Sequence, residues 1–209
     1  MGALKDLSGL GGMSTNSVDN EIEIFKSKKL MRDVVIEKNL QTAVYTEDGL
    51  QLKELYGSTS PVIVNVINEK NATLYPEDFI TLEIKGDKIQ ISSEENSIPI
   101  IKTTFNKTIN LPFANLMIRR NPAFSKTKAG IEHITVFLKP TSREQRVAQL
   151  QKVTSVNLVN KDATVIGLDM NYPQVEKAKD VLNSLVDAYN RDAINDKNQD
   201  SKMTLAFIE

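Results

Sequence analysis

The chain has 209 residues, 40% hydrophobic and 25% charged, with a formal net charge of -1 and no cysteine. That composition is globular and excludes wholesale disorder, and it removes disulfides, thiolate nucleophiles, Cys-ligated zinc and iron–sulfur clusters. The 26 Lys+Arg against 27 Asp+Glu provide no basic field for nonspecific nucleic-acid binding.

No stretch approaches the ~20 consecutive apolar residues of a membrane span, and Met1 to Met13 lack the charged and apolar regions of a secretory signal. Residues 1–17, rich in Gly and Ser, read as a flexible lead-in. Asn16 and Ser17 can cap a helix over Val18 to Lys38, its acidic residues first and its basic residues later, as the helix dipole favours. Val18, Ile22, Phe25, Met31, Val34 and Val35 give that helix an apolar face. Asn39 to Ser60 reads as a loop with short helical or extended pieces around Asp48-Gly49 and Gly57-Ser58.

From Pro61 the pattern becomes that of strands, dense in β-branched residues through Ile67. Phe79 to Lys85, Gly86-Asp87 and Lys88 to Ser92 form a hairpin, because Ile80, Leu82 and Ile84 alternate with polar residues. Ile100 to Ile109, Ala114 to Arg119 and Ile131 to Lys139 supply further strands. Thr141-Ser142-Arg143-Glu144 is a capping-box pattern that opens a helix through Val153. Ser155 to Val159 and Thr164 to Met170 follow as strands, and from Pro173 a helical pattern carries Val175, Ala178, Leu182, Leu185, Val186 and Tyr189 on one side. Beyond Tyr189 that stripe gives way to polar residues, which is the expected look of a helix that continues past Glu209 in an excised piece of a longer protein.

Motifs for catalysis are lacking: there is no GxSxG, HExxH or GxxxxGK[ST]. His133, the single histidine, reads as a solvent-facing or hydrogen-bonded strand residue rather than a ligand. Gly9-Leu10-Gly11-Gly12 lacks the strand and helix of a phosphate cradle. Asp192, Asp196 and Asp200 share one helix face and read as solvated, since cation sites gather oxygens from looped backbone. Asn71-Ala72-Thr73 and Asn106-Lys107-Thr108 match a sequon short enough to occur by chance. Arg119, Arg120, Lys126 and Lys128 surround Asn121-Pro122-Ala123-Phe124 in an exposed loop that can meet an acidic glycan or lipid headgroup. No catalytic residue, metal or cofactor is therefore expected.

Two segments are more specific. Asn20-Glu21-Ile22-Glu23-Ile24-Phe25-Lys26-Ser27-Lys28-Lys29-Leu30 resembles the NEIEI-x-[KR]-S-[KR] signature of bacterial polysaccharide co-polymerases, the chain-length determinant proteins. Leu30, Val34 and Val35 match the apolar positions that follow it. Pro173, Ala178, Leu182-Asn183, Leu185 and Tyr189, with Phe207-Ile208 later, resemble the helix that leaves the base domain of that family. The resemblance covers Val18 to Glu209. Absent are both membrane spans, the proline-rich segment before the second span, most of the long helical hairpin and any kinase motif.

The resemblance implies an α/β (α+β) base domain at 18–189, a mixed β-sheet packed against helices, followed at 190–209 by the start of a truncated helical extension. It implies a non-enzymatic domain on the periplasmic side of a bacterial inner membrane, whose parent can carry a cytoplasmic tyrosine kinase. Its implied task is to regulate chain length or export of capsular polysaccharide, exopolysaccharide or O-antigen through homo-oligomeric assembly with polymerase or export machinery. The expected contacts between subunits are Glu21, Glu23, Lys26 and Lys28 in the first helix and Asn183 and Tyr189 in the last. The alternative is a glycan-binding module that grips an acidic polysaccharide with Arg119, Arg120, Lys126 and Lys128.

Overall fold

The computed structural model describes residues 18–93, 98–124, 133–160 and 163–208; the lead-in at 1–17 lies outside them. The chain is of mixed α+β class. In order it runs α1 (18–25), α2 (Lys28–Glu37), β1 (Thr42–Asp48), β2 (Gln51–Leu55), β3 (Val62–Glu69), β4 (Ile80–Lys85), β5 (Lys88–Ser93), β6 (Ile101–Thr104), β7 (Thr108–Asn110), β8 (Ala114–Arg120), β9 (Ile134–Pro140), α3 (Arg143–Val153), β10 (Thr154–Asn160), β11 (Ala163–Met170) and α4 (Val175–Ile208). Instead of one mixed sheet, the described strands form three sheets, ordered β2-β1-β9-β4-β5-β6, β3-β8-β7 and β10-β11, with every ladder antiparallel.

Contacts group the residues into two compact units. Of the described residues, the first takes those up to Val34, Val147–Tyr172 and those from Ala178 on; the second takes Val35–Arg146 and Pro173–Lys177. The second unit holds both larger sheets. Its core gathers one face of each strand, including Val44, Leu82, Ile89, Val136 and Leu138 from the six-stranded sheet and Val62, Val64, Leu116 and Ile118 from the three-stranded one. Burying such side chains contributes about 1.5–3 kcal/mol each. The alternation that marks β4 and β5 in the sequence is this inward face, with Leu82 opposite Ile91 and Ile84 opposite Ile89.

Three local departures from the sequence expectation have physical causes. The helix expected over Val18 to Lys38 is broken at Lys26-Ser27, because the Ser27 hydroxyl accepts from the Leu30 N–H (3.2 Å) and caps a new helix, α2. Helix α2 ends in a Schellman motif, with Leu40 N–H on the Val35 carbonyl (3.0 Å), Asn39 N–H on that of Ile36 (3.2 Å), and Asn39 at φ 53°. The segment expected as a loop, Asn39 to Ser60, contains the hairpin β1–β2, in which Thr42, Val44 and Tyr45 have ordinary strand character. Finally, the strand expected over Ile100 to Ile109 is two: Asn106 takes φ 62°, so β6 joins the six-stranded sheet and β7 the three-stranded one.

Glu69, the last residue of β3, fixes the start of α3. Its carboxylate accepts from the Arg143 N–H (2.8 Å) and the Tyr75 hydroxyl (2.9 Å), while Ser142 Oγ accepts from the Gln145 N–H (3.3 Å). The cap is thus Ser142, one residue later than the expected box. Burial first and the Glu69 hydrogen bond second raise the Tyr75 pKa above its ordinary value.

The β1–β2 and β4–β5 loops each begin with a glycine at positive φ, Gly49 (65°) and Gly86 (57°), and a Cβ added at either would meet open space. Gly57 (φ 54°) differs, since an added Cβ would overlap the Glu176 carboxylate. Gly86→Ala should cost about 1 kcal/mol from backbone conformation alone. Gly57→Ala should cost a similar amount in parallel urea unfolding, since the exposed Glu176 carboxylate can swing away from the added methyl.

Candidate functional site

The two family-like segments meet in the first unit. Phe25 of α1 stacks on Tyr189 of α4, with ring centroids 4.5 Å apart and planes at 24°. The Tyr189 hydroxyl donates to Glu21, and about one turn beyond the stacked rings Lys29 pairs with Asp192. The Gln151 side chain donates to the Lys26 carbonyl (2.7 Å), adding α3 to the same knot. The spacing explains the contact: Glu21, Phe25 and Lys29 lie four residues apart, so they follow one stripe across the α1–α2 break. The hydrogen bond to Glu21, with burial second, raises the Tyr189 pKa; the hydrogen bond to Asp192 raises that of Lys29.

Of the six expected subunit contacts, Glu21 and Tyr189 therefore bond to each other within the chain. Glu23 and Lys26 pair at 3.6 Å on the surface, and Lys28 and Asn183 are exposed. Asp192, read as solvated, is the partner of Lys29, which its sequence spacing did not reveal.

The basic cluster is divided. Arg119 and Arg120 are successive strand residues, so their side chains leave opposite faces. Arg119 Nε donates to Asn65 Oδ1 (3.0 Å). Arg120 donates to the Gly86 carbonyl (2.5 Å) and to Asp87 (2.8 Å), and its guanidinium lies 4.4 Å from the Phe105 centroid. Lys126 and Lys128 lie outside the described residues. His133 is exposed, 3.8 Å from Glu83. Among the described residues, no group of three or more His, Asp or Glu is placed to hold a metal ion, and no helix is long and apolar enough to cross a membrane.

A feature that sequence reading missed lies in the second unit. Lys177, in the first turn of α4, is 2% exposed and its ammonium sits 2.5 Å from Glu54 of β2. Burial lowers the Lys177 pKa, Glu54 opposes that shift, and Arg146 adds to it. Gln174 caps the helix here, its Oε1 accepting from the N–H groups of Glu176 (2.8 Å) and Lys177 (3.3 Å). Helical periodicity does place Lys177 one turn before Val181, but nothing in the sequence names a partner 123 residues away.

The pair borders a cleft of about 450 Å³. Its floor is apolar, from Val44, Val62 and Val64, and its rim carries Tyr56, Ser58, Asn121 and Glu176. Asn121 holds the rim in shape, its amide donating to the carbonyls of Gly57 (2.7 Å) and Ser60 (2.8 Å). No family model matches the chain, and no curated protein matches it with significance.

Lys177→Met should cost about 3 kcal/mol, since the largely buried Glu54 carboxylate would lose the ammonium that offsets its charge. Lys177→Met combined with Glu54→Leu should recover most of that loss in a double-mutant cycle of urea unfolding. For Tyr189 the sign is set by its raised pKa: the stabilisation is complete below the free tyrosine value of 10.0 and lost as pH rises through the folded value. Thermal unfolding between pH 9 and 11, estimated from the ordinary tyrosine range, should therefore show a shallower alkaline loss in Tyr189→Phe.

Proposed function

We propose that this chain is a periplasmic domain of a bacterial polysaccharide co-polymerase, a scaffold without catalysis of its own. In this reading it regulates the chain length or export of a surface polysaccharide by assembling with copies of itself beside polymerase or export machinery at the inner membrane. The observation that supports it is the meeting of the two family-like segments. Glu21, Phe25 and Lys29 from one touch Tyr189 and Asp192 on the helix that carries the other, across 168 residues of sequence in the case of Glu21 and Tyr189. Segments that share a signature because they share a structural task are expected to touch.

The contacts divide the work among the motif residues. Glu21 and Tyr189 position α1 against α4, whereas Glu23, Lys28 and Asn183 point to solvent and are the groups a neighbouring subunit can reach. Each such exposed charge contributes little alone, and a ring multiplies it by repetition of one heterologous contact.

Two tests follow from this reading. The gene should encode apolar spans on both sides of this segment. In that membrane-anchored protein, Glu23→Lys with Lys28→Glu should disrupt the oligomer seen by crosslinking and shift the polysaccharide length distribution, while the 209-residue chain unfolds at an unchanged temperature. Unchanged assembly and unchanged polysaccharide would overturn the assignment.

A further inference from the structure

We infer that the cleft beside Lys177 and Glu54 binds a neutral sugar unit. The inference deepens the scaffold reading and rests on it for the source of the sugar; the ligand chemistry comes from the lining. Lys177 is paired there with Glu54 and Lys38 with Glu37, which leaves the Glu176 carboxylate as an acceptor on the rim, so the lining offers an anion no electrostatic advantage. This separates the cleft from Arg119 and Arg120, the described members of the cluster expected to grip an acidic polymer.

The floor and rim ask for different things from one ligand. Val44, Val62 and Val64 are each at most 6% exposed and favour an apolar ring face, and Tyr56 adds an aromatic surface. The rim needs groups that both donate and accept. Glu176 accepts only, Ser58 does both, and neither side chain has a hydrogen-bond or ion-pair partner among the described residues. Hydroxyl groups on an otherwise apolar ring satisfy the whole set, and a volume of about 450 Å³ suits one or two such rings within the usual range of ligand pockets.

Thr42 supplies an independent observation. It lines the cleft and is 8% exposed, yet its Oγ1 is buried with no hydrogen-bond partner among the described residues. Buried hydroxyls are nearly always bonded, and one left over calls for a partner, which a ligand hydroxyl or a water can supply.

The two roles of Thr42 predict opposite signs. As an unpaired hydroxyl it is a burden on the fold, so Thr42→Val should leave the urea midpoint unchanged or raised. As a ligand contact it matters to binding, so the same variant should weaken it by about two- to tenfold. The 209-residue chain would be titrated with cellobiose, lactose and N,N′-diacetylchitobiose and followed through its amide resonances.

At least one disaccharide should shift the resonances around Tyr56, Ser58 and Thr42 saturably, with Kd of about 1 mM. Ser58→Trp, at an exposed position on the mouth, should abolish the shift in a chain that still folds. Absence of saturable shifts with all three sugars, equal affinity in Thr42→Val, or tighter binding of glucuronic acid than of the neutral sugars would overturn the inference. Such a failure, with the charge-reversal result intact, would remove the sugar site and leave the scaffold reading standing.

Discussion

An ammonium group that is 2% exposed is tolerated only where a carboxylate meets it, because moving a lone charge out of water costs several kcal/mol. Lys177 meets that condition through Glu54. The pair holds the first turn of α4 to β2, a short strand at the edge of the six-stranded sheet whose side chains are otherwise largely exposed. It also forms one wall of the cleft, next to Gly57, whose missing side chain makes room for the Glu176 carboxylate. The lowered pKa of Lys177 and the raised pKa of Tyr45, the latter owed first to burial and then to Glu54, have their origin in the same desolvated corner.

The first unit is organised by a different kind of contact. Its shared stripe is partly apolar, through the stacked rings of Phe25 and Tyr189, and partly polar, through pairs that flank the rings on either side. The polar flanks fix the register of α1–α2 along α4, since a slip by one helical turn would separate every one of these partners. In the scaffold reading proposed for this chain, that register is what would let exposed residues on both helices reach a neighbour together.

Legibility in the sequence followed the range of the interactions. The β4–β5 hairpin, β3, β8, β9 and both later helices were readable because alternation, turn residues and helical spacing are local signals. The β1–β2 hairpin was not, because its loop is Gly49-Leu50 and its outer strand is polar and exposed, so half of the alternating pattern is missing. The break at Ser27 was hidden by an apolar stripe that runs through it undisturbed. Among site residues, Glu21 and Tyr189 were both singled out, but as surfaces for other subunits; only three-dimensional placement joins them. Lys177, Glu54 and Thr42 carried no signal, for a buried lysine and a surface lysine are the same letter.

The ladder between β1 and β9 sets Thr42 against Pro140, and β1 occupies the place between its hairpin partner and the rest of the sheet. Nearly a hundred residues of chain must be closed into a loop before that ladder can form, and such non-local pairing is slow. The other unit is closed over a still longer span, from Glu21 to Tyr189. A chain emerging from its amino end can therefore complete neither unit until most of it is available. Until then its Ile- and Val-rich strands have open edges and invite association with other chains.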